Sequence, residues 1–431
     1  MSLYLKLRSL LRPVYSAILK SRDYFIMSYR YYYYKRHFDR IKSDIYGKDR
    51  IRIVFFVLNL GMWKNDKLFS MLLDNPRFDP VVVPFFALTD SVLLIKENQD
   101  IIRHYFKEEK GFPYYDLYDF SKKEWLDINQ LNPDIIFYPQ PYGAGIKRYE
   151  VDALYKKKAF YYIPYNFSME NKVSMINTLL FNISVKVFAP SAYHKLLWKK
   201  MLLNKGINIF VSGYPSLDYL TKGDNIVCDK WKLQNHLYKR IIWAPHHSVL
   251  DKGVLHYSTF LQYAEEMRKI AIYYQNTVQF VFKPHPRLRS SLERHPDWGV
   301  KKTEQYYDWW RDATNTTFQD GDYYDLFLSS DAMIHDCSTF MAEYLFTLHP
   351  VMFLCKKNKK LPLNSFAEDC LEKHYKGYSV EDIKFFIETV VLNGSDTMLQ
   401  ERKNFVINSQ LMPENKTVAQ AIYDEICVDW S

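Results

Sequence analysis

From residue 51 onward the chain repeats one pattern: a short apolar run that breaks off at a proline, a glycine or a small polar residue, followed by a helical segment. Residues 51–58 (IRIVFFVL), 79–86, 135–138, 159–163, 185–188 and 209–211 are such runs. Their exits include residues 139–143 (PQPYG), 164–166 (PYN), 189–191 (APS) and 212–215 (SGYP). A strand that is apolar at successive positions is buried on both faces, and parallel sheets covered by helices bury strands in that way. Strands alternating with helical segments therefore predict an α/β fold built on parallel sheets. The pattern lapses over the polar stretch 221–234 and restarts at 241–248 (IIWAPHHS), 279–282, 332–335 and 351–354. A chain of 431 residues has the length for two domains of about 150–200 residues each. Two Rossmann-like domains, 49–222 and 223–400, with parallel sheets facing a central cleft, are the most economical arrangement. A helical segment, 401–431, follows them.

What precedes residue 49 is different. Residues 1–48 hold eleven Lys and Arg against three Asp, nearly all of the formal net charge of +9, so the remainder is close to neutral. Leu3, Leu7, Leu10, Leu11, Val14 and Ile18 recur at helical spacing, with Pro13 expected to start or kink a helix. Basic residues interleave with Tyr31, Tyr32, Tyr33, Tyr34 and Phe38. Such a basic, aromatic, amphipathic arm suits an anionic membrane surface, with packing on the protein body as the alternative and nucleic acid disfavoured. No apolar run approaches 18 residues, so no membrane-spanning segment is expected. Five cysteines, Cys228, Cys337, Cys355, Cys370 and Cys427, lack any paired spacing, which reads as reduced thiols in the cytoplasm. Gly61 stands alone in the first strand exit, so the GxGxxG dinucleotide fingerprint is missing.

The stretch 320–354 concentrates polar residues at its joints. Asp322 and Asp325 open a short helix, residues 332–335 form a buried strand, and Asp336, Cys337, Ser338 and Thr339 are expected to cap a helix running through Phe340, Met341, Tyr344 and Leu345. In a doubly wound sheet the exits at 245–248, 283–287 and 336–339 converge on one edge. They would present His246, His247, Lys283, His285, Arg287, Ser338 and Thr339 together, a receptor for a diphosphate. His246 and His247 are adjacent, so at most one of them is expected to face the site. His335 reads as a core histidine. No HxH or HExxH spacing supports a metal site.

At these residues the chain resembles the CDP-glycerol glycerophosphotransferase (teichoic acid polymerase-like) family. The likeness is carried by VSGYPSLDYL at 211–220, WAPHHS at 243–248, VFKPHPRL at 281–288 and residues 320–353, and it is strongest over about 200–360. The family's K-x-HP and SD-x-x-I-x-D-x-S-S/T-x-x-x-E patterns fall on Lys283, His285, Ser330, Asp331, Asp336, Ser338, Thr339 and Glu343. The resemblance implies a GT-B fold acting at the inner membrane surface without metal or other cofactor, 49–222 taking the acceptor and 223–400 the nucleotide donor. It implies transfer of glycerol- or ribitol-phosphate from a CDP-alditol to a polyol-phosphate or glycan acceptor, lipid-linked, in teichoic-acid or surface-polysaccharide synthesis. His285 would then face the donor diphosphate, Ser338 and Thr339 would hold phosphate, and Glu343 would meet the ribose. Lys283, Arg287 and Asp336 belong to the same donor site.

One departure concerns the acceptor. The family's W-H-G-T-P-like loop corresponds here to residues 162–168, YIPYNFS, which contain no histidine. Either the base comes from elsewhere, with His246, His247 and Asp66 as candidates, or the acceptor and donor differ from the family's; Asp66, Tyr165 and Asn166 are the acceptor-side candidates. Two other classes stay open: a GT-B glycosyltransferase or sugar-nucleotide epimerase using a UDP- or GDP-sugar, and a non-catalytic membrane-associated binding protein.

Overall fold

The computed structural model describes residues 3–87, 91–143, 145–171, 173–221, 230–234, 237–250, 256–357 and 359–430, with side chains from residue 21. It divides into two compact units: Met1–Tyr165, Lys172–Ser212 and Ala419–Ser431 in the first, Asn166–Asn171 and Gly213–Val418 in the second. The change of unit at Gly213 precedes the polar stretch 221–234, of which residues 222–229, with Cys228, lie outside the described residues.

The first unit contains β1 (Ile51–Val57), β2 (Phe78–Pro84), a two-stranded ribbon β3 (Tyr118–Asp119) and β4 (Glu124–Trp125), then β5 (Ile135–Phe137), β6 (Ala159–Tyr162), β7 (Lys186–Ala189) and β8 (Ile209–Val211). Six of these form a parallel sheet in the order β2-β1-β5-β6-β7-β8. Part of the chain's aromatic content is spent here. Phe55 stacks on Phe137 at 4.3 Å and Phe137 on Tyr161 at 5.3 Å, each pair directly opposed in the parallel register. The buried Tyr161 hydroxyl donates to Asp429 at 2.7 Å and accepts from the Trp430 indole at 2.8 Å, tying the C-terminal helix to this sheet.

The arm is one helix, Leu3–Tyr46, continuous through Pro13, where a start or kink was expected. A proline removes one helical hydrogen bond, a loss the long helix absorbs here without ending. Tyr34, Ile41 and Ile45 are buried against the first unit, Tyr34 donating to the Lys158 carbonyl at 3.1 Å, and Arg30 pairs with Asp152. Packing on the body is therefore real for the second half of the arm.

The second unit repeats the plan with β9 (Lys239–Ala244), β10 (Val278–Phe282), β11 (Thr316–Phe318), β12 (Ala332–His335), β13 (Val351–Leu354) and β14 (Tyr375–Gly377), all parallel in the order β11-β10-β9-β12-β13-β14. Trp243, Phe282, Tyr306 and Trp310 fill its core, with Trp243 and Phe282 each 5.3 Å from Trp310. Gly213 opens this unit with φ of +88°, where an added Cβ would lie 2.6 Å from the Leu411 carbonyl oxygen, so the S-G-Y-P turn requires glycine.

Candidate active site

In the second sheet the chain runs outward from β9 to β10 and β11, then returns to the other side of β9 as β12. Open α/β sheets bind ligands outside the carboxyl ends of the strands at such a reversal. Trp243 lies opposite both Phe282 and Ile334, so β9, β10 and β12 end level and their exits meet.

Asp336 ties two of these exits together. Its carboxylate, 1% exposed, accepts from the His246 amide at 2.5 Å, from the Thr259 amide, and from the Thr259 hydroxyl at 2.8 Å. Burial pushes this carboxyl up to about 6, against the pull of those hydrogen bonds. Asp336 was expected beside the donor phosphates; its oxygens are instead occupied by three internal donors, and it anchors the histidine loop. The third exit is latched by the His285 amide donating to the Pro245 carbonyl at 3.0 Å.

His246, His247 and His285 form one cluster, with ring centroids 4.3 Å apart for His246–His247 and His247–His285 and 5.3 Å for His246–His285. The expectation that only one of the adjacent pair faces the site is corrected. Both rings reach His285, because they stand in a loop beyond Pro245, where the strand's alternation of sides no longer applies. Burial first holds all three below their ordinary range, joined by neighbouring imidazoles and cations at His246 and His285 and by Arg287 at His247: His246 well below, His247 at about 4, His285 at about 3. The cationic neighbours are Lys283, Arg287 and Lys356.

Backbone amides set the tautomers. The Ser248 amide donates to His246 Nδ1 at 3.3 Å, and the Arg287 amide to His285 Nδ1 at 3.1 Å. A neutral ring with Nδ1 accepting carries its proton on Nε2. The ring nitrogens of the three histidines lie within 4.8 Å of one another, a spacing that would interest a metal ion. With Nδ1 engaged and Nε2 protonated, however, His246 and His285 have no lone pair left to ligate one. They offer N–H donors, which suit an anion.

The remaining residues vary in how they face the site. Lys283 is 4% exposed and sits 5.9 Å from the Tyr323 ring, whose hydroxyl donates to the buried Glu343 at 2.6 Å. Arg287 is exposed. Ser338 and Thr339 are half-buried, but Thr339 has helical backbone angles and no capping bond, and the helix it precedes is one turn, Phe340–Glu343, continued by a 3-10 turn. The expected helix is thus present through Leu345, but as one α turn continued in 3-10 form and without a side-chain cap. His335 is buried in β12 with Nδ1 accepting from the Cys337 amide at 3.2 Å, as a core residue. On the acceptor side, Asp66 is held by the Trp63 indole at 2.6 Å, the Tyr105 hydroxyl at 2.5 Å and Lys110 at 3.3 Å. Tyr165 and Tyr142 join their hydroxyls at 3.1 Å, and the Asn166 side chain accepts from the Ser168 amide at 3.0 Å. Thr259, Tyr323 and Lys356 escaped the reading of the sequence. Only Lys356, just past the end of β13, carried a positional signal.

Two doubly wound parallel domains with a basic, imidazole-lined strand-end site define a GT-B-type transferase fold. The CDP-glycerol:poly(glycerophosphate) glycerophosphotransferase family matches residues 166–412, more than half of the chain, and the chain belongs to that family. It is an enzyme of the glycerophosphotransferase class. No curated protein matches it. Among solved structures, a single-substitution variant of the wall teichoic acid polymerase TagF is similar over 100% of this chain and 98% of its own, with TM-score 0.57 and 13% identity. A UDP-GlcNAc 2-epimerase from Neisseria meningitidis bound to UDP-GlcNAc is similar over 88% of this chain and 100% of its own, with TM-score 0.52 and 15% identity. The MnaA–UDP structure from S. aureus covers 88% and 95%, with TM-score 0.51 and 14% identity. At these identities the likeness establishes the fold.

Proposed function

We propose that this enzyme transfers an alditol-phosphate unit, glycerol phosphate in the first instance, from its CDP-activated form to a hydroxyl of a polyol-phosphate or glycan acceptor. The observation that carries this is the convergence of three strand exits on a cluster of imidazole N–H donors flanked by Lys283, Arg287 and Lys356. An acceptor hydroxyl attacks the phosphorus bearing the alditol. A new P–O bond forms, the bond to the bridging oxygen breaks, and CMP leaves with that electron pair while the hydroxyl proton passes to a base. Charge on the departing phosphate is the main electrostatic demand of such a step. His285 and His246 meet it as neutral Nε2–H donors and the cations as counter-charge. Ser338 and Thr339 contribute hydroxyls, Glu343 acts through Tyr323, and Asp336 positions His246.

The arm supports work at an anionic membrane surface on a lipid-linked acceptor, on the inner face of the cell membrane. Arg22, Phe25, Tyr29, Tyr32 and Arg36 recur every three or four residues, all exposed, on the side of the helix opposite Tyr34, Ile41 and Ile45. Among the described residues no helix is long and apolar enough to cross a membrane. Incubation of the protein with CDP-glycerol and a glycerol-phosphate oligomer, followed by measurement of CMP and oligomer length, tests the reading. CMP release with lengthening supports it, and turnover of UDP- or GDP-sugars in place of CDP-glycerol contradicts it.

A further inference from the structure

The segment Asn166–Asn171 continues the loop 162–168, which contains no histidine. It is built into the second unit, whereas the chain on either side, Met1–Tyr165 and Lys172–Ser212, belongs to the first. Asn364 holds its backbone: the side-chain amide donates to the Ser168 carbonyl at 2.6 Å and the main-chain amide to the Met169 carbonyl at 2.9 Å. Phe167 is buried, 4.2 Å from Tyr214 and stacked on Phe366 at 5.8 Å, and Glu170 forms an antiparallel bridge with Leu363. Glu170 is the one charged residue in this strap.

The half-buried Glu170 carboxylate accepts from the Tyr257 hydroxyl at 2.7 Å. Tyr257, itself buried, lays its ring 5.2 Å from the His246 ring. Burial, then the Glu170 carboxylate, raise this hydroxyl above its ordinary range, so it stays a donor. A hydrogen bond to a carboxylate is roughly twice as strong as one between neutral groups, and it pins the far end of the tyrosine ring. The two residues after Tyr257 grip the same histidine from other sides. The Ser258 amide donates to Ser248 Oγ at 3.0 Å, leaving that hydroxyl to donate to His246 Nδ1 at 3.0 Å. Thr259 shares the Asp336 carboxylate with the His246 amide. Residues 257–259 therefore set His246 at its ring face, its Nδ1 and its backbone, and Glu170 secures the first of these three.

We infer that Glu170 is a positioning residue for the transfer, acting through Tyr257 to hold the His246 ring at the angle from which Nε2–H meets the departing phosphate. Glu170 itself takes no proton in the step. An imidazole that has lost this support still admits the substrate but stabilises the developing charge less, so the loss falls on kcat rather than on KM. The kinetic consequence rests on the transfer reading, while the attitude of the His246 ring is testable without any donor.

Two measurements on the whole chain form the test. In the first, the protein is labelled with nitrogen-15 histidine and its ring resonances are recorded by NMR with no nucleotide present, His246→Gln identifying the His246 signals. Tyr257→Phe and Glu170→Ala should shift those signals and leave the core His374 signals in place. Glu170→Gln, which keeps an acceptor oxygen, should leave both near wild type. In the second, CDP-glycerol is turned over with a glycerol-phosphate oligomer as acceptor. Either Tyr257→Phe or Glu170→Ala should lower kcat about tenfold, the scale of one hydrogen bond to a charged group, with KM changed less than about threefold. The double variant should also lose about tenfold rather than a hundredfold, because the pair acts as one unit. His246 signals unmoved in both single variants, an unchanged kcat in both, or losses that multiply in the double variant overturn the inference. If the wild type leaves CDP-glycerol intact, the transfer reading falls, and the His246 signals alone decide whether Glu170 holds the ring.

Discussion

Replacing Asp336 with alanine separates anchoring from charge. The substitution strips an acceptor from the His246 amide, the Thr259 amide and the Thr259 hydroxyl, all in buried residues. The hydroxyl can turn to another partner, but the two amides cannot, and orphaned buried donors cost about 1–3 kcal/mol each, or about 2–6 kcal/mol together. Against this stands relief of a buried charge. The carboxyl is raised from 3.8 to about 6, roughly two pH units, or about 3 kcal/mol at neutral pH. The two effects largely offset at pH 7, leaving a net change between a gain of about 1 kcal/mol and a loss of about 3 kcal/mol on these magnitudes. Because the folded pKa lies above the unfolded one, the wild-type residue favours folding more as pH falls from about 6 toward 3.8, and loses that contribution as pH rises through 6. The variant lacks this dependence. Hydrogen exchange read by mass spectrometry should show the loss concentrated in β9 and in the first turn of the helix Phe260–Tyr273. Turnover should fall by more than the stability change implies, about 10²-fold, since an ångström of displacement in a catalytic loop costs that much. Asp336→Asn keeps one acceptor oxygen and should fall between the two. Equal exchange in wild type and Asp336→Ala, or identical behaviour of the Asn and Ala variants, would refute the anchoring role.

Three further outcomes follow from the same geometry. His285→Gln should lower turnover about 10²–10³-fold, the usual cost of removing one preorganised donor, while the melting curve moves little; an unchanged rate contradicts the site. His247, His285 and His374 all have depressed pKa values, at about 4, 3 and 3. The unfolded chain therefore takes up their protons first, and their stabilising contribution is lost as pH falls from 6.5 toward 4; denaturant midpoints measured across that range should show the fall diminished in His247→Gln. Substituting Phe25, Tyr29 and Tyr32 by serine should abolish sedimentation with anionic vesicles and leave turnover of soluble acceptor intact, whereas undiminished sedimentation would assign the arm to packing alone.

How far the residues alone could lead depended on burial. Strands such as β1, β10 and β13 were legible because a parallel strand covered on both faces is a continuous apolar run. The edge strands β11 (TTF) and β14 (YKG) carry too few apolar residues to announce themselves. The helix Gly299–Asp312 opens on a glycine and is mostly polar outside Thr303, Tyr306, Tyr307 and Trp310, so its buried face was lost among charges. The strand-end pattern placed the histidines, Lys283 and Arg287 beside one another, and the structure brings them together there. The role of Asp336 was not legible, because its partners lie 77 and 90 residues away and are backbone amides, which leave no mark on sequence. Nor was the tautomer of His285, set by the Arg287 amide. Asp66, an acceptor-side candidate on sequence, has its carboxylate tied down by Trp63, Tyr105 and Lys110, partners that lie up to 44 residues away.

The most direct test of the central claim is phosphorus-31 NMR of the 431-residue chain with CDP-glycerol and a glycerol-phosphate oligomer. The account predicts loss of the diphosphate resonances, stoichiometric appearance of CMP, and a matching gain in phosphodiester signal that is reduced at least a hundredfold in His285→Gln. Intact CDP-glycerol, together with interconversion of UDP-sugars by the same preparation, would contradict it.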